Sequence, residues 1–229
     1  MKLKLMMVMG IGLLAAQVHA EEQQVFRSPM DQVNYGIGVE VVRNFKNQGI
    51  EVDLDMVIKG MKDGLSGKIL VSEKELRKTM TAFQTELRQK QATTRKFAAQ
   101  DNRKKGDAFL AENKTKEGVV TLPSGLQYKI LRAVDGKKAT DADTVECNYR
   151  GTLIDGTEFD SSYESGKPAT FRVSEGVILG WKEALKLIPV GSKWKFFIPP
   201  QLAYGDRGAG RQIGPSETLI FEVELLAIK

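Results

Sequence analysis

Histidine and cysteine are the side chains most often used as acid–base groups, nucleophiles and metal ligands, and this chain has one of each: His19 and Cys147. His19 falls in a stretch that reads as a secretory signal peptide, residues 1–20. Lys2 and Lys4 open it, Leu5–Ala16 is apolar, and Val18-His19-Ala20 offers a small-residue cleavage site before Glu21-Glu22. A chain cleaved there has no histidine. That excludes Ser-His-Asp and Cys-His machinery, a histidine metal ligand and imidazole acid–base catalysis. One cysteine in an exported chain also excludes an intramolecular disulfide, and none follows the cleavage point to carry a lipid anchor. Carboxylate chemistry, or catalysis with no proton transfer, is what remains.

The paired acids Asp53-Leu54-Asp55 and Asp141-Ala142-Asp143 are the obvious cation candidates. Neither has the glycine and terminal glutamate of a calcium loop, so helix-start and turn roles explain them, and neither metal nor cofactor is expected. Residues 88–115 carry eight basic and three acidic side chains. Few aromatics interleave them and no base-reading motif accompanies them. A solvated helix face accounts for the run and nucleic acid is not an expected partner. Removing Lys2 and Lys4 lowers the formal charge only from +5 to +3. The leader is too short to span a bilayer and no other candidate follows, so stable membrane insertion is not expected.

Two kinds of element must position whatever chemistry there is. Residues 21–115 hold one proline, Pro29, and read as helical; six prolines follow. Ile37, Val41, Val42 and Phe45 share one helical face, with Gly49 as a stop. Asp53 is placed to cap a second helix bearing Leu54, Val57, Ile58 and Met61, which ends near Gly64 or Gly67. Ser72 and Glu75 have capping-box spacing, and Leu76, Met80, Phe83 and Leu87 make a seam behind them. The spacing predicts one long helix from about Ser72 to about Ala111, its second half mostly exposed. Three helices with so little apolar surface make a poor independent core, so the seam is expected to meet a second copy of the chain, with packing against the C-terminal half as the alternative.

From Val119 the period changes to two. Leu126, Tyr128 and Ile130 alternate with polar neighbours, as do Val145, Cys147 and Tyr149; Trp194, Phe196 and Ile198; and Leu219, Phe221, Val223 and Leu225. Only Val177–Leu185 looks helical. The expected class is α+β: an all-helical region with a long connecting helix, 21–115, then a bent antiparallel sheet around one short helix, 116–229.

Tyr149-Arg150-Gly151-Thr152-Leu153 and Asp155-Gly156-Thr157-Glu158-Phe159-Asp160-Ser161-Ser162 resemble the start of an FKBP-type peptidyl-prolyl cis–trans isomerase domain. The likeness continues through Val177-Ile178-Leu179-Gly180-Trp181, Val190-Gly191, Ile198-Pro199-Pro200, Ala203-Tyr204-Gly205 and Thr218–Leu226, with the spacing between blocks kept. The helical half is similar to the dimerisation region of the exported Mip-like (macrophage infectivity potentiator) branch. The resemblance implies a proline-binding pocket of Tyr149, Phe159, Asp160, Phe171, Val177, Ile178, Trp181, Tyr204, Ile213 and Phe221. Trp181 would be its floor, and the Ile178 N–H and Tyr204 hydroxyl would be donors to the peptide.

Three positions, and a loop tip in which Ile213-Gly214-Pro215 replaces a more proline-rich segment, depart from the family pattern. Ser165 stands where an arginine commonly pairs with the aspartate, Ala169 where some members have a wall aromatic, and Ala209 where others have a loop histidine. A wider pocket and weaker binding of macrolide inhibitors are expected. The implied function is a homodimeric, exported isomerase with chaperone activity, acting on proline bonds of unfolded or partly folded proteins. Its expected place is the periplasm, with the outer surface or extracellular space as alternatives. The competing reading is a dimeric client-binding holdase whose isomerase pocket is weak or vestigial.

Overall fold

The computed structural model describes residues 26–229, and the expected signal peptide lies outside them. The described chain divides into two compact units, the first running to Arg77 and the second spanning Lys78–Lys229.

Local capping explains where the helices begin. Helix α1 (Pro29–Asn47) starts at Ser28, whose hydroxyl accepts from the Asp31 N–H while Asp31 accepts from the Ser28 N–H, and Pro29 occupies the first helical position. Helix α2 (Leu54–Ser66) is capped by Asp53, which accepts from the N–H groups of Asp55 and Met56 at 3.0 and 3.1 Å. It ends at Gly67 with φ +70°, a conformation glycine adopts without a Cβ clash. Helix α3 (Glu73–Asn113) follows the expected Ser72–Glu75 capping box. Neither α1 nor α2 contains a buried residue. Between them runs an apolar groove of about 570 Å³, lined by Val39, Val41, Val42, Leu54, Val57, Ile58 and Met61 among others.

The second unit is built on a seven-stranded sheet in which every pairing is antiparallel. Its strands are β1 (Val119–Thr121), β2 (Gln127–Arg132), β3 (Thr144–Leu153), β4 (Glu158–Ser161), β5 (Ala169–Arg172), β6 (Lys193–Ile198) and β7 (Leu219–Ile228). The order is β1-β2-β6-β7-β3-β4, with β5 beside the first half of β3. Alternation puts Val145, Cys147, Tyr149 and Leu153 of β3 on the buried face, with Leu219, Phe221, Val223 and Leu225 of β7 and Trp194, Phe196 and Ile198 of β6. Helix α4 (Leu179–Leu185) fills that face with Trp181, Ala184 and Leu185. Gly180 lets it approach, because a Cβ there would stand 2.5 Å from Ile198 Cγ2.

Three details depart from the sequence pattern. Ile130 is 44% exposed although it stays in register with Trp194, on the face of Tyr128, at the last pair before the β2–β6 register shifts. Val177 and Ile178 precede α4 instead of belonging to it, and Ile178 is its extended N-cap. The second half of α3 is mostly exposed as expected, yet its end is docked. Phe109 lies 5.9 Å from Phe197 on the outer face of the sheet. The buried Asn113 donates to the buried Gln127 at 2.9 Å, and Gln127 donates in turn to the Leu110 carbonyl.

Candidate active site

Strand pairing and a missing side chain create the cleft. Gly151 of β3 faces Phe221 of β7 in register. A Cβ on Gly151 would lie 2.7 Å from the Phe221 ring and 2.8 Å from Phe159, so only glycine lets both rings fold over the strand. Trp181 rises from α4 into the centre of the aromatic set. Its ring meets Tyr149 at 5.2 Å, Phe171 at 5.0 Å and Phe221 at 5.2 Å, each edge-to-face. This geometry is favoured by the ring quadrupoles.

Above this set opens a cleft of about 420 Å³, lined by Tyr149, Asp160, Phe171, Gly176, Val177, Ile178, Trp181, Tyr204 and Phe221. Eight of the ten residues expected from the sequence therefore meet at one concavity. Phe159 does not line it; it stands behind Phe221 with ring centroids 5.4 Å apart and supports the wall. Ile213 packs against the core from the loop after Tyr204 and also stays off the lining. Gly176 was not anticipated. Its φ of +73° turns the chain into Val177, and the signal for it was a glycine directly before the apolar Val-Ile-Leu block.

The polar groups at the cleft are few. The Tyr149 hydroxyl donates to Asp160 Oδ2 at 2.7 Å, so the carboxylate is held by a phenol rather than by a cation. Ser165, in the place of the family's arginine, closes its own turn by donating to the Ser162 and Lys167 carbonyls. The Ile178 N–H makes no hydrogen bond among the described residues, and Ile178 lines the cleft. Burial, then the hydrogen bond and charge of Asp160, push the Tyr149 phenol well above its ordinary range. Tyr204 is raised for similar reasons, by burial first and Asp160 second. Both phenols are therefore protonated donors at neutral pH. Cys147, beneath the cleft and fully buried, is pushed up to about 12 by desolvation and is not a nucleophile.

The arrangement offers an apolar cup, one free backbone donor and two phenols. It can bind and orient a flat apolar group flanked by carbonyls, with Asp160 as the carboxylate on its lining.

The comparisons with known proteins agree with this geometry. Residues 135–226 match the family described as FKBP-type peptidyl-prolyl cis-trans isomerase, and residues 30–130 match the domain amino terminal to such isomerases. The chain is 47% identical to the outer membrane protein MIP of Legionella longbeachae, covering 100% of this chain and 98% of the relative. It is 41% identical to the peptidyl-prolyl cis-trans isomerase Mip of Coxiella burnetii, covering 100% and 99%. The crystal structure of FkpA from Escherichia coli superposes with a TM-score of 0.66 at 39% identity, over 89% of this chain and 98% of that one. With its aromatic cleft, its helical amino-terminal region and these relatives, the chain belongs to the FKBP-type peptidyl-prolyl cis–trans isomerases and is an enzyme of that class.

Proposed function

We propose that the cleft around Trp181 is where this isomerase turns proline bonds of unfolded or partly folded proteins, and that the protein works as an exported homodimer with chaperone activity. The observation that carries the site is the edge-to-face contact of Trp181 with Tyr149, Phe171 and Phe221 at the floor of a half-open cleft. An X-Pro bond rotates over about 18–20 kcal/mol because resonance gives its C–N bond double-bond character. The proline ring enters the aromatic cup, and the Ile178 N–H takes a carbonyl of the peptide. As the amide twists, resonance is lost and charge leaves its carbonyl oxygen. The apolar wall then disfavours the twisted state less than the planar, more polar one. The Tyr204 hydroxyl gives a second donor, and Asp160 on its phenol partner edges the cleft. Macrolide inhibitors would compete for the same cup.

The domain division proposed is a helical region, 21–115, and a catalytic domain, 116–229. Two helices without a buried residue, and an apolar groove between them, support dimerisation through the first. Two cups on one dimer would engage one client at several points, each reinforcing the other. An expected signal peptide, and relatives that include an outer membrane protein, support an envelope location, with the periplasm preferred. Among the described residues no helix is long and apolar enough to cross a membrane.

The test is cis-to-trans isomerisation of a proline tetrapeptide by the mature protein, beside Phe221→Ala with its fold checked by near-ultraviolet circular dichroism. Acceleration by the parent and a loss of at least about tenfold in the variant are expected. A folded Phe221→Ala variant with parental kcat/KM would show that the cup is not the site. The vestigial-pocket reading has no observation in its favour, since Ser165 leaves Asp160 held by Tyr149.

A further inference from the structure

Tyr204 lies at the start of a long loop that returns to the sheet only at β7. Within residues 205–218 the only strand-like pairing is one bridge between Ala209 and Ile213. What fixes the base of this loop is the long helix α3. Asn102 Nδ2 donates to the Pro215 carbonyl at 2.9 Å, and Arg103 Nη2 donates to Asp206 Oδ1 at 2.8 Å. The same guanidinium reaches the Ser216 hydroxyl at 3.4 Å, and that hydroxyl donates to Asp206. Arg95 donates to the Arg207 carbonyl. Gly106 backs directly onto Thr218, whose Oγ1 would stand 2.4 Å from a Cβ at that glycine. One helix thus holds both arms of the loop, the outgoing arm at Asp206 and Arg207 and the returning arm at Pro215, Ser216 and Thr218.

Ser216 marks how tightly the base is held. It is fully buried, and it is the one non-glycine among the described residues with a positive φ, at 55°. Serine keeps such a conformation only where its surroundings over-determine it. Here they do: its N–H donates to the Gly205 carbonyl at 2.8 Å, and its hydroxyl is shared between Asp206 and Arg103. The Ser216 hydroxyl, and after it Arg103, hold the Asp206 carboxyl below its ordinary range. Asp206 is two residues from Tyr204, and Gly205, between them, is bonded to Ser216. The base of the loop is thus held at the residue next to Tyr204.

We propose that Asn102 and Arg103 are positioning residues of the isomerase site: helix α3 sets the loop, and the loop sets the Tyr204 hydroxyl at the cleft. This rests on the reading of Tyr204 as a donor to the peptide. It assigns the long helix a part in catalysis on small peptides, besides any part in joining two copies. The Arg103–Asp206 pair is more than half exposed on both side chains, so its direct contribution to stability is small and its removal should leave the fold intact.

The experiment is a double-mutant cycle in the full chain, with kcat and KM measured on a proline tetrapeptide. Arg103→Met should lower kcat/KM by about tenfold, short of the hundredfold that a full ångström of misplacement can cost. Arg103→Lys, which still reaches Asp206 with one ammonium bond, should recover to within about threefold of the parent. In a Tyr204→Phe background the Arg103→Met change should cost less than about twofold, because the hydroxyl it positions is gone. Should Arg103→Met prove unfolded by circular dichroism, Asn102→Ala takes its place in the cycle, with an expected loss of about threefold. An impaired Tyr204→Phe with either a fully active Arg103→Met or effects that simply multiply overturns the positioning role alone. Parental activity in Tyr204→Phe overturns the donor reading, and the positioning role with it.

Discussion

The two units of this chain use similar apolar residues to opposite ends. In the second, Leu126, Val145, Leu185, Ile198, Leu219 and Leu225 are all almost wholly excluded from water, and one contiguous core joins sheet to helix. In the first, Leu65 is 92% exposed, Tyr35, Met56 and Ile37 are mostly exposed, and no residue of α1 or α2 is buried. Pattern and caps make good helices in both cases. Only the second unit brings its own complementary surface, through long-range strand pairing such as β3 with β7. Amphipathicity therefore specifies an element, whereas a core needs an opposing face, which the proposed dimer would supply to the first unit.

The largest effect should come from removing that face. Val42→Glu with Ile58→Glu puts two charges into the groove between α1 and α2. Sedimentation should show a monomer, and helical circular dichroism should fall by the share belonging to residues 26–77, since nothing else buries those helices. Tetrapeptide turnover should stay within about twofold, because none of the cleft residues lies in that unit, while refolding of a large client should slow more. A variant that stays dimeric would place the partner face elsewhere.

A smaller effect is expected at Gly151, where core and cleft meet. Gly151→Ala drives a methyl into the rings of Phe159 and Phe221, neither of which is a flexible side-chain end. Overpacking of this kind costs about 1–3 kcal/mol. Urea denaturation should report that loss in the second unit alone, and kcat/KM should fall with it as Phe221 is displaced. Unchanged stability would mean that the two rings move apart more easily than their edge-to-face contact suggests.

Much of this was legible in residue order, for physical reasons. Capping at Asp53 and Ser72 is local, so spacing alone reveals it. Period-two alternation in β3, β6 and β7 follows from strands with one buried face, and it placed Tyr149, Trp194 and Phe221 correctly. Eight cleft residues came from the family likeness, which keeps the spacing of the blocks. What escaped depends on contacts between distant segments. Gln127 is a polar residue in a strand, and its burial is understood only once Asn113 of α3 lies beside it. Ile130 keeps the alternation and gave no sign that it would be exposed at the last pair before β2 and β6 lose register. Arg103 sits in a basic run that reads as a solvated face, and its bond to Asp206 spans more than a hundred residues. Phe159 and Ile213 were expected at the cleft from the family likeness; Phe159 stands behind Phe221, and Ile213 packs against the core.

The smallest predicted effect is a near-flat pH profile, and it separates this cleft from acid–base sites. The titratable groups of the cleft are Tyr149, Tyr204 and Asp160, with Cys147 buried beneath. Both phenols are raised by burial and by the charge of Asp160, so they keep their protons throughout the neutral range. Tetrapeptide kcat/KM should therefore change by less than about twofold between pH 6 and pH 9, where a histidine-dependent enzyme would trace a limb of a bell. Stability carries the matching sign. A phenol whose folded pKa lies above its unfolded value contributes fully below the unfolded value, about 10, and loses that contribution as pH rises through the folded one. Denaturation midpoints should hold steady from about pH 6 to about pH 10 and fall above it. A Tyr149→Phe variant should soften that alkaline fall, because the group that must ionise on unfolding has been removed. An activity limb near pH 7 would instead mean that a proton moves during the rotation, which the twisted-amide mechanism has no use for.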